Sequence, residues 1–321
     1  MTKHPAELDS PCEPALSGPP GPPSANSRRS ADASPGGLFT ITRVILIAFV
    51  VLTALATYAL YVQSARTQTG FAWTIQPPLT AAFLGSGYAA GCVLTILALR
   101  ARTWAEARLT ATTVLVFVVL TLTATLVHLH RFHLHAAGIV PRSAAWFWLG
   151  IYLTVPVALA AAIIAQVRRR AQDPPRGRPL PVWLAGLLAA QGAVMLTVGI
   201  ILFTNGVIFL GGMTMFADPR IVTTVWPWTL TPLTAAAVAA WLIAFGAAAV
   251  LALLERDLRR LRTAAAGYAV FGLLALLAVA RFAGQVRWAS PAAVVYLVVI
   301  GSVVVTGVTG WLLATRPVLR R

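Results

Sequence analysis

The sequence is short of charge. Of its 321 residues only 11% are Asp, Glu, Lys or Arg, while 58% are hydrophobic and the mean hydropathy is +0.79. A soluble domain carries about 25% charged residues, so this chain reads as a membrane protein. Acids are scarcest, 9 against 25 bases, and Lys3 is the single lysine. Arginines clustered on a soluble surface would point to nucleic acid. Here they lie between apolar runs, which gives them a topological role, and no nucleic-acid partner is expected. The bias toward Arg and Ala is that of a GC-rich bacterial genome. Cysteine is nearly absent: Cys12 sits in a polar tail and Cys92 in an apolar run. Neither an intramolecular disulfide nor a cysteine metal site is therefore expected.

The apolar runs also lack carboxylates. Glu7, Asp9, Glu13, Asp32, Glu106, Asp173, Asp218, Glu255 and Asp257 all fall in the tail or in connections. Proton-driven pumps and intramembrane hydrolases place a titrating group at depth, and both classes are disfavoured by this pattern. No Walker phosphate loop, HExxH motif or Ser-His-Asp set is recognisable. The reading leans away from an enzyme, and no catalytic residue is assigned.

Long hydrophobic segments are plentiful. Eight runs reach the roughly 20 helical residues that cross a hydrocarbon core of about 30 Å. They are 44–63, 79–99, 109–129, 144–167, 182–203, 232–254, 263–280 and 292–314. Backbone without aqueous partners closes its hydrogen bonds within helices, so the expected fold is all-α, a polytopic membrane helix bundle. The tail and the connections after the even-numbered runs hold 19 basic residues; the remaining connections hold 6. By the positive-inside rule both termini are cytoplasmic and the protein sits in the bacterial inner (plasma) membrane. Residues 1–40, rich in Pro, Ser and Gly, are expected to be a disordered cytoplasmic tail.

One stretch occurs twice. Trp73-Thr74-Ile75-Gln76-Pro77-Pro78-Leu79-Thr80-Ala81-Ala82 returns as Trp228-Thr229-Leu230-Thr231-Pro232-Leu233-Thr234-Ala235-Ala236 with one proline fewer. Each copy precedes an apolar run. Tryptophan at a membrane interface followed by a proline-started helix accounts for the pattern. Further echoes join 79–99 to 233–253, Arg131-Phe132 to Arg281-Phe282, and Trp148-Leu149 to Tyr296-Leu297. They divide the chain into two four-helix halves, 41–170 and 171–321. Four spans per half is an even number, so the halves should be parallel, related by an axis along the membrane normal. With its W-x-x-x-P-L-T-A helix starts the chain resembles uncharacterised multi-pass membrane proteins of GC-rich bacteria. That resemblance implies the bundle and no activity.

The most polar constellation is His128, His130, His133 and His135, four of the five histidines. On a helix His130 and His133 share a face, as do His128 and His135. Two imidazoles at a time could be offered to Zn or Cu, or less readily to haem, although a catalytic zinc normally takes three protein ligands. Interfacial histidines without a ligand are the simpler reading. In the second half Arg281-Phe282 aligns with Arg131-Phe132, and every histidine is then missing. Arg131, Arg220 and Arg281 could border an anionic ligand or lipid headgroup, or simply snorkel. Gln191, the amide at depth, fits a buried polar contact, either with a substrate or between helices. Three functions remain open on these residues: binding or transport of a small molecule or lipid, a metal- or haem-linked redox component, and a scaffold or accessory subunit with a membrane partner.

Overall fold

Runs of this length have one economical way to satisfy their backbone, and the computed structural model follows it. It describes residues 40–101, 103–168, 177–208 and 219–315. Eight long apolar helices succeed one another: α1 Thr40–Thr57, α2 Pro78–Leu99, α3 Trp104–Val127, α4 Ile139–Arg168, α5 Val182–Ile208, α6 Pro232–Glu255, α7 Leu258–Arg281 and α8 Pro291–Thr315. A π-turn, Tyr58–Val62, lengthens α1, and a short helix, Pro219–Val225, precedes α6. Each of the eight is long and apolar enough to cross a membrane. Among the described residues β-structure is limited to two isolated bridges. The chain is thus an all-α polytopic bundle. The disorder expected of residues 1–40 and most of the apolar connection after α5 lie outside the described residues.

Helix boundaries depart from the apolar runs where capping overrides hydropathy. The seventh run starts at Thr263, yet α7 starts at Leu258, because the Asp257 side chain accepts the Arg259 N–H and opens the helix there. Arginines 259, 260 and 262 therefore ride on its first turns. The third helix also begins five residues before its apolar run, after an extended Thr103 whose side chain makes no capping bond.

The core is built on α2 and α6. Two thirds of each apolar window is buried, against 22% for α1 and 28% for α4. Helices α3 and α7 flank this pair, while α1, α4, α5 and α8 lie outside and present Val, Leu and Ile outward. The packing follows a regular scheme. Helix α1 packs on α2 as α5 packs on α6; α3 packs on α4 as α7 packs on α8; α2 packs on α7 as α6 packs on α3. At the centre α2 meets α6 through Gly87 and Trp241. A Cβ on Gly87 would sit 2.6 Å from the indole, so only glycine admits the ring. Trp241 stacks on Phe117 at 3.8 Å and on Phe245 at 5.5 Å.

The repeated tryptophans are core residues, which corrects their expected place at a lipid interface. Trp73 is 3% exposed and Trp228 1%. Trp73 packs on Trp148 at 4.8 Å, Trp228 on Tyr296 at 5.4 Å. Trp146 and Trp288, by contrast, are about half exposed. The two copies differ in how they cap the following helix. Thr231 and Thr234 form a reciprocal capping box on α6. Pro77 has no side chain to cap α2, and Gln285 Oε1 accepts the Leu79 N–H instead, at 2.9 Å. Thr80 is thereby left to accept the Trp228 indole N–H, at 2.9 Å. Thr234 is engaged in its box, and the indole N–H of Trp73 has no partner among the described residues.

Candidate functional site

The histidines follow the end of α3 and diverge. His128, the first residue beyond the helix, is 1% exposed, and its Nε2 lies 2.8 Å from the Gly206 carbonyl of α5. A neutral imidazole donates there. Burial pushes its pKa below the ordinary histidine value, and the neighbouring His130 and Arg131 act in the same direction against the raising effect of the Gly206 contact. His130 is exposed and accepts from Arg131 Nε at 3.1 Å. His133 Nδ1 lies 2.9 Å from the Phe71 carbonyl, Nε2 lies 3.1 Å from Thr74 Oγ1, and its backbone N–H donates to Ala72. His135 is exposed. Among the described residues no three His, Cys, Asp or Glu side chains group as a metal site.

The second half explains His133. Residues Leu129–Arg131 form a 3₁₀ turn after α3, as Ala283–Gln285 do after α7. Arg287 then donates its N–H to Pro227 as His133 does to Ala72, and its guanidinium donates to the Trp226 carbonyl as the imidazole does to that of Phe71. His133 and Arg287 perform one task, tying this turn to the connection ahead of the Trp-Pro stretch. The counterpart of His128 is consequently Phe282, four positions beyond the residue that the Arg-Phe match assigns. Arg131 lies in a 3₁₀ turn and Arg281 ends a helix, so that match is coincidental.

The other expected residues are engaged separately. Arg281 Nη1 donates to the Tyr61 carbonyl at 3.0 Å and lies over the Phe282 ring. Arg220 is exposed in the short helix. Gln191, 2% exposed, donates from Nε2 to Ser302 Oγ at 2.9 Å and Thr306 Oγ1 at 2.8 Å, joining α5 to α8. This is the interhelical reading.

One apolar opening was not apparent in the sequence. A cleft of about 180 Å³ lies between α1 and α4. From α1 it is lined by Leu52, Thr53 and Ala56, and from α4 by Phe147, Trp148, Ile151 and Tyr152. Tyr88 of α2 and the Phe71-Ala72 connection complete it, and Leu55 and Phe147, each 58% exposed, flank its mouth. The hydroxyls of Tyr88 and Tyr152 meet at 2.8 Å in the wall. Only one O–H of such a pair can point at the other. The second is able to turn to the adjacent Thr121 hydroxyl or to an acceptor in the cleft.

A cleft between α5 and α8 repeats this lining position by position at about 40 Å³, room for roughly one water. Val194, Met195 and Val198 stand for Leu52, Thr53 and Ala56; Trp226-Pro227 stands for Phe71-Ala72; Val295, Tyr296, Val299 and Ile300 stand for Phe147, Trp148, Ile151 and Tyr152. Leu242 takes the place of Tyr88. Thr53, Tyr88 and Tyr152 thus become Met195, Leu242 and Ile300. One exchange runs the other way: the Trp148 indole, bonded to Thr125 Oγ1 at 3.1 Å, becomes Tyr296, whose hydroxyl has no partner among the described residues.

Comparison with known protein families, with curated proteins and with solved structures finds no match to this chain.

Proposed function

We infer that this is an inner-membrane protein of two parallel four-helix repeats that holds one lipid-like small molecule in the cleft between α1 and α4. The matched helix pairings and the matched linings of the two clefts support the repeat. The bias of arginine toward one end supports cytoplasmic termini. What carries the ligand reading is the difference between the clefts. A purely structural groove in a bundle closes with apolar side chains, as Leu242 and Ile300 do. The first cleft stays open and keeps a tyrosine pair in its wall.

An apolar cavity of about 150 Å³ accommodates benzene, so 180 Å³ takes a ring or a short chain segment. The tyrosine hydroxyls supply donor and acceptor for a carbonyl or hydroxyl on that headpiece. The remainder of the molecule trails outward past Leu55 and Phe147. Apolar walls with few convergent polar groups are the usual composition of a small-molecule site.

Calorimetric titration of the purified chain with para-heptylphenol and with heptylbenzene tests the reading. The phenol should bind about tenfold more tightly, the value of one hydrogen bond near 1.4 kcal/mol. Tyr88→Leu with Tyr152→Ile should erase that difference. Equal binding of both compounds by the unaltered chain would remove the tyrosine pair from recognition.

A further inference from the structure

The arginine-rich end of the bundle carries a second asymmetry, independent of the α1/α4 cleft. Arg108 of α3 grips Glu255 at the end of α6 through two hydrogen bonds, Nε to Oε1 at 2.5 Å and Nη2 to Oε2 at 2.6 Å. Arg260 donates to the same carboxylate at 2.9 Å, and its Nε lies 3.3 Å from Asp257. Asp257, 1% exposed, also accepts from the Gly177 and Arg259 N–H groups. An anion is thus seated among cations at the junction of α3, α6 and α7.

Among the described residues, the corresponding place at the junction of α7, α2 and α3 has no carboxylate in the position of Glu255. Helices α2 and α6 start at Pro78 and Pro232, and α3 and α7 start at Trp104 and Leu258, the same interval apart. In that register Arg262 corresponds to Arg108, Ala101 to Glu255, Thr103 to Asp257 and Glu106 to Arg260. A methyl group stands where the other junction has a carboxylate. A cavity of about 470 Å³ opens there, lined by Ala101 and Arg262 together with Arg100, Arg178, Arg259 and Glu106. Among the described residues four arginines and one glutamate line it, and of these Arg178 and Glu106 have partners of their own. Arg262 itself lies over the Trp311 ring at 5.6 Å. The filled junction shows what the open one accepts, an oxyanion held by the fork of an arginine.

We propose that this cavity is an anion site that takes a phosphate group, with Arg262 as its principal ligand and Arg100 and Arg259 beside it. Phosphate suits the donors because guanidinium groups pair with it bidentately and several can share its oxygens. The cavity also exceeds what the single side-chain carboxylate of the filled junction occupies. The group comes either from a soluble phosphate compound or from the headgroup of an anionic lipid at the bundle's edge.

Thermal unfolding of the full chain in phosphate-free maltoside separates these sources. One arm adds inorganic pyrophosphate; the other adds phosphatidylglycerol as mixed micelles. A rise in Tm with pyrophosphate assigns a soluble source, and a rise with phosphatidylglycerol alone assigns a headgroup. Arg262→Gln should weaken the effective probe about tenfold or more. Ala101→Glu rebuilds the Glu255 arrangement, so it should raise the Tm of the chain without added probe and abolish the response. No response to either probe by the unaltered chain would overturn the proposal. So would a response left unchanged by both substitutions.

Discussion

The clefts between α1 and α4 and between α5 and α8 have matching helices around them and matching connections above them, yet one holds about 180 Å³ and the other about 40 Å³. Shared scaffold residues, such as the tryptophans at 73 and 228, serve packing in both. Residues that differ between the clefts are freed from that common task, and Tyr88 and Tyr152 are among them. The same logic separates the histidines. His133 shares its duty with Arg287 and is a clamp; His128 is replaced by Phe282, so its polarity is particular to the first half.

The comparison can be broken at its centre. Trp241→Ala would empty the space that Gly87 yields to the indole and should cost about 3–5 kcal/mol in chemical unfolding, the range for a large aromatic lost from a core. An unfolding midpoint little changed would show that the α2–α6 contact is not the keystone of the fold. Next in size, Leu242→Tyr with Ile300→Tyr would write the first lining into the second cleft. About 40 Å³ does not admit two phenols, and overpacking should cost about 1–3 kcal/mol. Stability equal to that of the unaltered chain would mean that the second cleft opens at no cost, and the difference in size would lose its significance.

Acid sharpens the comparison at His128. Its folded-state pKa is depressed, so below about pH 6.5 the unfolded chain takes up a proton that the folded chain resists. Stability is fully present above that pH and falls as pH drops toward the folded value. His128→Phe, the residue of the second half, should give a flatter Tm profile between about pH 5 and 8. Identical profiles would place the titration elsewhere. The smallest effect is expected at Gln191. Gln191→Leu removes its bonds to Ser302 and Thr306 and should cost about 1 kcal/mol or less by steric-trap unfolding. A loss several times larger would make the α5–α8 contact more than ordinary packing.

The eight spans were legible because apolar length survives in one dimension. The clefts were not. Tyr88 and Tyr152 are 64 positions apart, and each reads as an ordinary aromatic within a helix. Only the folded bundle brings their hydroxyls together. The burial of Trp73 and Trp228 was missed for a similar reason, since tryptophan beside a helix start describes a lipid interface and a core equally well. The histidine alignment slipped by four positions, about one helical turn, because Arg-Phe recurs at nonequivalent points of the two helix ends. Backbone hydrogen bonds, rather than residue identity, restored the register.

The two clefts are compared most directly by photolabelling. A diazirine-bearing alkylphenol is equilibrated with the purified chain, irradiated and mapped by peptide mass spectrometry. Labelling is predicted on 52–59 and 144–152, lost in Tyr88→Leu with Tyr152→Ile, and absent from 194–198 and 292–300. Equal labelling of both clefts, insensitive to that double substitution, would contradict a ligand site specific to the first.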